Sequence, residues 1–290
     1  MNLLIVTNMF IVLQEVSVLK QLGMWKDNCF FTVNPYYVKS KETYNNLLRD
    51  IRLILPNAEY ADWRKLEVCN VDVAMSPSYL TREMVLDLGR IVDKLILVED
   101  GNYDYFMHDE EFWFDTTEKN LYLWKPESAA CAWLYKGVHG IKVDNAMLDF
   151  MLVTLYSEAV KQLTKYSMCP ILFTSPLESD FEMLDSAEQI VHYLEQNYDG
   201  TILIKRHPRD NADYHSAKLD FVEIERNVPG QFLDMYNKGI EIFAFPSTMC
   251  FMSANTSSMR ILKLKTTNTA YNDFYNNEQV CRDLCIIDCG

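Results

Sequence analysis

The chain has 290 residues, of which 49% are apolar and 23% are charged, and its formal net charge at pH 7 is −14. This length exceeds that of a typical single domain and predicts two domains of roughly 140 residues each. The 41 acidic against 27 basic side chains disfavour nucleic acid as a general partner. They leave open a small anionic ligand that is held by one local basic patch.

Cysteine usage and hydropathy predict a soluble, cytoplasmic protein. No CxxC pair occurs, and the closest group of thiols, Cys281, Cys285 and Cys289, has no histidine nearby, so reduced structural thiols are favoured over a metal site. The apolar first residues lack the basic start and the cleavage site of a signal peptide. Charged residues interrupt the apolar segment 146–163, which disfavours a membrane span but leaves a peripheral contact with the inner face of the cytoplasmic membrane open.

Short apolar runs alternate with helical patterns through the first hundred residues. Strands are predicted at Asn2–Thr7, Cys29–Val33, Val71–Met75 and Lys94–Val98, and helices at Phe10–Leu22, Lys39–Leu55 and Thr81–Leu88. This alternation predicts βαβ units and a mostly parallel sheet. The following segment, 102–140, is rich in aromatic residues and lacks periodicity, and we interpret most of these residues as packing rather than as a substrate-facing excursion.

The same alternation resumes in the second half. A long helix over about 146–165 is predicted to link an amino-terminal domain, 1–145, to a carboxy-terminal domain, 166–290. Further strands are predicted at Ile171–Thr174, Thr201–Lys205, Phe221–Ile224, Glu241–Phe245 and Leu284–Ile287, and helices at Ser186–Tyr198, Phe232–Asn237 and Ala254–Leu262. Two Rossmann-like halves, with parallel sheets facing an interdomain cleft, indicate a GT-B-like α/β fold.

A basic loop follows the strand Thr201–Lys205, where the sequence reads TILIKRHPRD. Ligands of open α/β sheets bind at the carboxyl ends of the strands, so this cationic loop in an acidic protein favours an anionic ligand. His207 can donate a hydrogen bond to a departing phosphate oxygen, or protonate it, near neutral pH. Pro208 fixes the backbone just after it. A solvated turn at a strand end is the alternative interpretation.

Two more polar groups follow predicted strands. In Glu99-Asp100-Gly101 two adjacent carboxylates end a buried strand, which is expected to raise at least one pKa toward the range of a general base. Gly101 permits close approach of a ligand, and an ordinary Asp-Gly turn is the alternative. Ser247 and Thr248 lie at a strand-to-helix turn, where hydroxyls and amides can bind an anion or simply cap the helix. Ser175 ends another predicted strand and is a further substrate-binding candidate.

Together these groups indicate a base in the first half and an anion-binding histidine in the second, facing each other across a cleft. That arrangement suits displacement of a phosphate leaving group by a hydroxyl, with inversion at the attacked carbon. The sequence contains no DxD, P-loop, GxGxxG, GxSxG or HExxH motif. We therefore predict neither a metal nor a cofactor.

Three motifs, in this order, resemble the D/E-D/E-G, HP and S-S/T motifs of bacterial sialyltransferases: Glu99-Asp100-Gly101, His207-Pro208 and Ser247-Thr248. They are most similar to the lipooligosaccharide sialyltransferases of glycosyltransferase family 52 and to the related capsule polysialyltransferases. The opening LLIVTN and the FTSPL at 173–177 are also similar to that group. The resemblance spans about residues 1–260.

The resemblance implies a GT-B fold and inverting, metal-independent transfer from CMP-sialic acid to a terminal galactose-type sugar of lipooligosaccharide or capsule. It implies that Asp100 is the base, that His207 assists departure of the CMP phosphate, and that Ser247 and Thr248 bind the donor. The alternatives are another GT-B glycosyltransferase, a nucleotide-sugar epimerase, or a non-catalytic relative that binds nucleotide sugars or glycans. GT-B chains commonly finish with helices, so we expect the edge near Gly290 to be shortened or completed by another subunit, as in a homodimer.

Overall fold

The computed structural model describes residues 1–34, 38, 40–62, 65, 71–77, 88, 92, 94–99, 120–123, 139–236, 240–245 and 258–289. The described chain divides into two α/β units. It passes from the first unit to the second between Leu155 and Tyr156.

The first unit contains a parallel sheet of seven strands. These are β1 (Asn2–Val6), β2 (Cys29–Val33), β3 (Glu59–Tyr60), β4 (Val73–Pro77), β5 (Lys94–Val98), β6 (Asn120–Leu123) and β7 (His139–Lys142). Their spatial order is β3-β2-β1-β4-β5-β6-β7. The described helices are α1 (Met9–Gln21), α2 (Lys41–Ile54) and α3 (Leu148–Leu155). Every residue of β1 is buried, as expected for a central strand of a parallel sheet.

The second unit contains a parallel sheet of six strands in the order β10-β9-β8-β11-β12-β13. These are β8 (Ile171–Phe173), β9 (Gly200–Lys205), β10 (Leu219–Glu223), β11 (Ile242–Ala244), β12 (Met259–Lys263) and β13 (Ile286–Asp288). The described helices are α4 (Ser157–Lys165), α5 (Leu177–Phe181), α6 (Ser186–Asn197), α7 (Gly230–Tyr236), α8 (Thr269–Asn276) and α9 (Glu278–Cys281).

Both sheets have the strand order of a Rossmann fold. In each, the first strand is central, the next two strands continue on one side, and the later strands continue on the other. Ligands of such sheets bind beyond the carboxyl ends of the strands, where the order reverses. The reversal falls between β1 and β4 in the first sheet and between β8 and β11 in the second. The predicted parallel α/β architecture is therefore confirmed. In the second sheet, the carboxyl ends of β8, β9 and β11 are where a ligand site is expected.

All nine predicted strands are confirmed to within two residues at either end. Strands β6 and β7 were not predicted, because they belong to the aromatic segment that shows no clear alternation. Most of that segment, and most of the predicted helix Thr81–Leu88, lies outside the described residues.

The predicted helix Ala254–Leu262 is wrong over its second half. Met259–Lys263 forms β12, which pairs with β11 and β13. Ile261 and Leu262 are adjacent and both fully buried, as in a strand that is covered on both faces. In MRILK the apolar and charged residues do not alternate strictly, so the sequence pattern does not distinguish this strand from part of a helix.

The single helix predicted over about 146–165 is also wrong, because the chain forms α3 and α4 there. Tyr156 interrupts the helical backbone with φ −128° and ψ 38°. Its ring is buried and packs against Phe232 with a centroid distance of 5.8 Å.

No helix in the described parts of the chain combines the length and the apolar character that a membrane crossing needs.

The buried position of β12 can be tested by truncating Ile261, which is fully buried. We expect Ile261→Ala to lower the free energy of unfolding by about 2–5 kcal/mol, because it removes buried methyl groups and leaves a cavity. Lys265→Ala, at an exposed position just after the same strand, is the control and should change it by about 0.5 kcal/mol or less. Equal effects of the two substitutions, measured by urea unfolding, would contradict the buried position of Ile261 in this strand.

Candidate functional site

The loops after β8 and β9 are joined at the carboxyl edge of the second sheet. Phe173 and Lys205 form the last register pair of these strands. The backbone N–H of Thr174 donates to the Lys205 carbonyl at 3.0 Å. The Thr174 hydroxyl oxygen accepts from the backbone N–H of His207 at 3.1 Å. Thr174 therefore holds the start of the His207 loop in a fixed position.

A tight turn over His207–Asp210 orients the imidazole. The N–H of Asp210 donates to the His207 carbonyl at 2.9 Å, with Pro208 at the second position of the turn, where proline is favoured. The N–H of Arg209 donates to Nδ1 of His207 at 3.2 Å. Because Nδ1 is the acceptor, the neutral ring carries its proton on Nε2. Within the described residues Nε2 has no hydrogen-bond partner, so its N–H is available to a ligand.

The environment favours the neutral form of His207. Burial is the main cause that lowers its pKa below the ordinary value of 6.5, and the Arg209 guanidinium lowers it further. Asp180 opposes this shift. A neutral imidazole donates a hydrogen bond through Nε2 but does not readily give up that proton. Of the two roles that the sequence left open, the structure favours hydrogen-bond donation over protonation of a leaving group.

Lys205 and Arg206 both contact the protein interior rather than solvent. Lys205 is 5% exposed, and its Nζ donates to the carbonyls of Arg206 at 2.8 Å and Arg226 at 2.9 Å. Burial lowers the pKa of Lys205 to about 8. The Arg206 side chain is 13% exposed and pairs with Glu223 at 3.1 Å. These two cations therefore connect the loop after β9 to that after β10, and they are not the open basic patch that the sequence suggested.

Arg209 is the cation of this loop that faces solvent. Its side chain is 65% exposed. Nη1 and Nη2 bind the two carboxylate oxygens of Asp180 in α5 at 3.0 and 2.9 Å. This bidentate pair is a second connection between the segments that follow β8 and β9.

A buried acid and a tyrosine lie beneath the turn. Asp210 is 2% exposed and accepts a hydrogen bond from the N–H of Ala212 at 3.1 Å. The Tyr214 hydroxyl interacts with both Asp210 and Thr174, and burial raises the pKa of Tyr214. The Tyr214 ring also lies against the Arg206 guanidinium, at 5.0 Å from the ring centroid to Cζ. The turn that carries His207 thus rests on a buried polar network.

Ser175 lies where the strand order of the second sheet reverses. It follows β8, which pairs with β11 on the side opposite β9. Ser175 is 5% exposed, and its hydroxyl makes no hydrogen bond within the described residues. The predicted site residues Ser247 and Thr248 come soon after β11 in the sequence but lie outside the described residues.

The comparison with protein families finds a match for the middle of the chain. Residues 134–268 match the sequence model of glycosyltransferase family 52. This part of the chain is similar in sequence to the family 52 glycosyltransferases. The resemblance to this family is therefore confirmed over residues 134–268, while the roles predicted for individual residues there stay predictions. No curated protein sequence matches the chain.

A solved structure shows the same fold. The sialyltransferase from Photobacterium damselae, residues 113–497 corresponding to the GT-B domain, covers 98% of this chain, and 96% of that chain is covered. The TM-score is 0.53 and the sequence identity is 9%. At this identity the similarity establishes the fold alone, and it confirms that the glycosyltransferase is GT-B-like.

The acidic motif of the glycosyltransferase lies before the matched region. Glu99 follows β5 and is 1% exposed, and its N–H donates to the Tyr122 carbonyl of β6 at 3.0 Å. Asp100 and Gly101 lie outside the described residues. Their roles, and the predicted cleft between the two units, remain predictions. No group of three or more potential metal ligands occurs in the described parts of the chain.

Sequence reasoning missed several residues that shape this site. Thr174 lies within the FTSPL segment and Asp210 ends the basic loop, but no function was predicted for either residue. Asp180 and Tyr214 had no signal in the sequence, because each contacts the loop only through the fold.

The state of His207 can be measured by NMR titration of the imidazole. We expect a pKa below 6.5, because burial and Arg209 both disfavour the charged ring. Arg209→Gln removes the nearby positive charge and should raise this pKa, while Asp180→Asn removes the opposing negative charge and should lower it. A pKa above 6.5 in the native protein, or shifts in the reverse directions, would contradict this account.

Proposed function

We propose that this glycosyltransferase transfers sialic acid from CMP-sialic acid to a hydroxyl of a terminal galactose-type sugar on a bacterial surface glycan, lipooligosaccharide or capsule. The observation that carries the proposal is the position of His207, which two hydrogen bonds fix at the carboxyl edge of the second sheet. Its Nε2–H has no partner among the residues that the structure describes, and it lies beside the point where a Rossmann sheet binds nucleotides. The family match and the sialyltransferase-like fold support the same assignment.

His207 would act on the leaving group. As the bond between the anomeric carbon and the phosphate oxygen breaks, its electron pair moves to that oxygen and negative charge develops. A hydrogen bond from Nε2–H stabilises this charge without a proton transfer. Because Thr174 and the turn fix the ring before the reaction, little reorganisation is needed. Pro208 contributes by holding that turn.

Asp100 would act on the acceptor. Its carboxylate would take the proton of the sugar hydroxyl while the hydroxyl oxygen attacks the anomeric carbon from the face opposite the phosphate. Attack from the opposite face inverts the configuration at that carbon. In this scheme Glu99 and Gly101 shape the acceptor side on the amino-terminal domain, with the buried Glu99 anchoring the motif at the end of β5.

The carboxy-terminal domain would hold the donor. Ser247 and Thr248 are proposed to bind its phosphate or carboxylate, and the Ser175 hydroxyl is proposed to add a contact from the end of β8. A CMP leaving group carries a single phosphate, so hydrogen-bond donors and one cation suffice to balance it. We therefore propose that transfer needs no metal and no cofactor.

A lipid-anchored acceptor sets the proposed location. Lipooligosaccharide is held in a membrane, so we propose a cytoplasmic protein that makes peripheral contact with the inner face of the cytoplasmic membrane.

The base assignment is tested with Asp100→Ala. Transfer from CMP-sialic acid to a galactose-terminated acceptor, with EDTA present, should fall by roughly 10²–10⁴-fold, because the hydroxyl loses its proton acceptor. Binding of CMP, measured by calorimetry, should be retained. Asp149→Ala, at an exposed position of α3, is the control and should transfer at the wild-type rate.

A near wild-type rate for Asp100→Ala would remove this residue from the mechanism. Transfer by the wild-type protein from a UDP-sugar, and not from CMP-sialic acid, would contradict the proposed donor.

A further inference from the structure

The charged groups of the basic loop differ in what they can offer a ligand. The Lys205 ammonium is buried and bound to two carbonyls, and the Arg206 guanidinium is enclosed by Glu223, Tyr214 and the Ala212 carbonyl. The Arg209 side chain is 65% exposed, and its described partner is a carboxylate. If the loop binds an anion through a cationic side chain, Arg209 is the residue placed to do so.

Arg209 and His207 are parts of the same turn. The N–H of Arg209 donates to Nδ1 of His207, so the backbone of one residue fixes the ring of the other. Both Arg209 and Asp180 act electrostatically on the imidazole, and they do so in opposite directions. The hydrogen bond within the turn and the bidentate pair therefore place the ion pair next to the residue that carries the imidazole.

We propose that Arg209 binds an anionic group of the donor and that Asp180 occupies the guanidinium until the donor replaces it. This inference rests on the proposed function for the identity of the anion, the phosphate or carboxylate of CMP-sialic acid. It assigns a binding role to Arg209 and a competing role to Asp180.

The geometry of the pair supports an exchange. The guanidinium binds both oxygens of Asp180 at 3.0 and 2.9 Å, and the same pair of parallel donors fits a phosphate or a carboxylate of a ligand. The side chains are 65% and 31% exposed, and ion pairs with this degree of exposure contribute little to stability. Releasing Asp180 to solvent therefore costs little, while the ligand anion gains a charge-assisted bidentate contact.

A matched control ion pair lies at the amino ends of the strands of the same sheet. Asp199 precedes β9 and pairs with Lys218, which precedes β10, at 2.9 Å. Both side chains are exposed. Asp199→Asn removes the same charge as Asp180→Asn, but from the amino ends of the strands rather than the carboxyl ends.

The test is calorimetric binding of CMP to the wild-type protein and to four variants: Arg209→Gln, Asp180→Asn, the double variant and Asp199→Asn. Arg209→Gln should weaken binding by roughly tenfold or more, because a charge-assisted contact is lost. Asp180→Asn should tighten binding by roughly twofold to fivefold, because the competing carboxylate is removed. The double variant should bind like Arg209→Gln, and Asp199→Asn like the wild type.

Opposite effects of the two single substitutions separate competition from a structural role. If Arg209→Gln and Asp180→Asn weaken CMP binding alike, the pair only holds the loops together and the proposal is overturned. It is also overturned if neither substitution changes the affinity. Thermal unfolding of each variant, compared with Asp199→Asn, shows whether a change in affinity arises from loss of folding.

The same titrations with UDP and GDP keep the two proposals distinct. If the wild type binds UDP or GDP and not CMP, the proposed donor is wrong, while opposite effects of the two substitutions on that nucleotide would still support the role of Arg209. If CMP binds and both substitutions change its affinity in the same direction, the donor assignment is supported and the proposed role of Arg209 is contradicted. If no nucleotide binds, both proposals are contradicted.

Discussion

The candidate site depends on the hydrogen bonds that fix His207. Its backbone N–H is held by the Thr174 hydroxyl, and its Nδ1 is held by the N–H of Arg209 within a turn that contains Pro208. These contacts determine both where the ring stands and which nitrogen carries the proton. A histidine that is fixed in this way is a preorganised hydrogen-bond donor, which is the property that stabilisation of a departing phosphate requires.

The same region shows how the cationic side chains of an acidic protein are arranged around the proposed anion site. The net charge of the chain is −14, and the basic loop contains three cationic side chains beside His207. Two of them, Lys205 and Arg206, stabilise the edge of the sheet through buried contacts. The third, Arg209, is exposed and neutralised by Asp180. The site therefore carries little unbalanced charge before a ligand arrives, and the buried polar network beneath it sets its shape.

The sequence was sufficient for the architecture and for the location of His207, and insufficient for the directions of the charged side chains. The strands were predictable because β-branched runs end at proline, glycine or polar turns, and parallel strands present their carboxyl ends at one edge. Strand β12 was mistaken for part of a helix because its apolar and charged residues do not alternate strictly. The inward position of Lys205 depends on the carbonyls of Arg206 and Arg226, and the Arg209–Asp180 pair joins residues that are 29 positions apart. Such contacts exist only once the fold has formed.

The central claim, that the Nε2–H of His207 is the donor to the leaving phosphate, is tested most directly by NMR of the protein with ¹⁵N-labelled histidine during titration with CMP. The account predicts that the Nε2 proton of His207 shifts and becomes protected from exchange with water as CMP binds. The exposed rings of His192 and His215 should remain unchanged. Binding of CMP that leaves the His207 signals unaltered would contradict the claim.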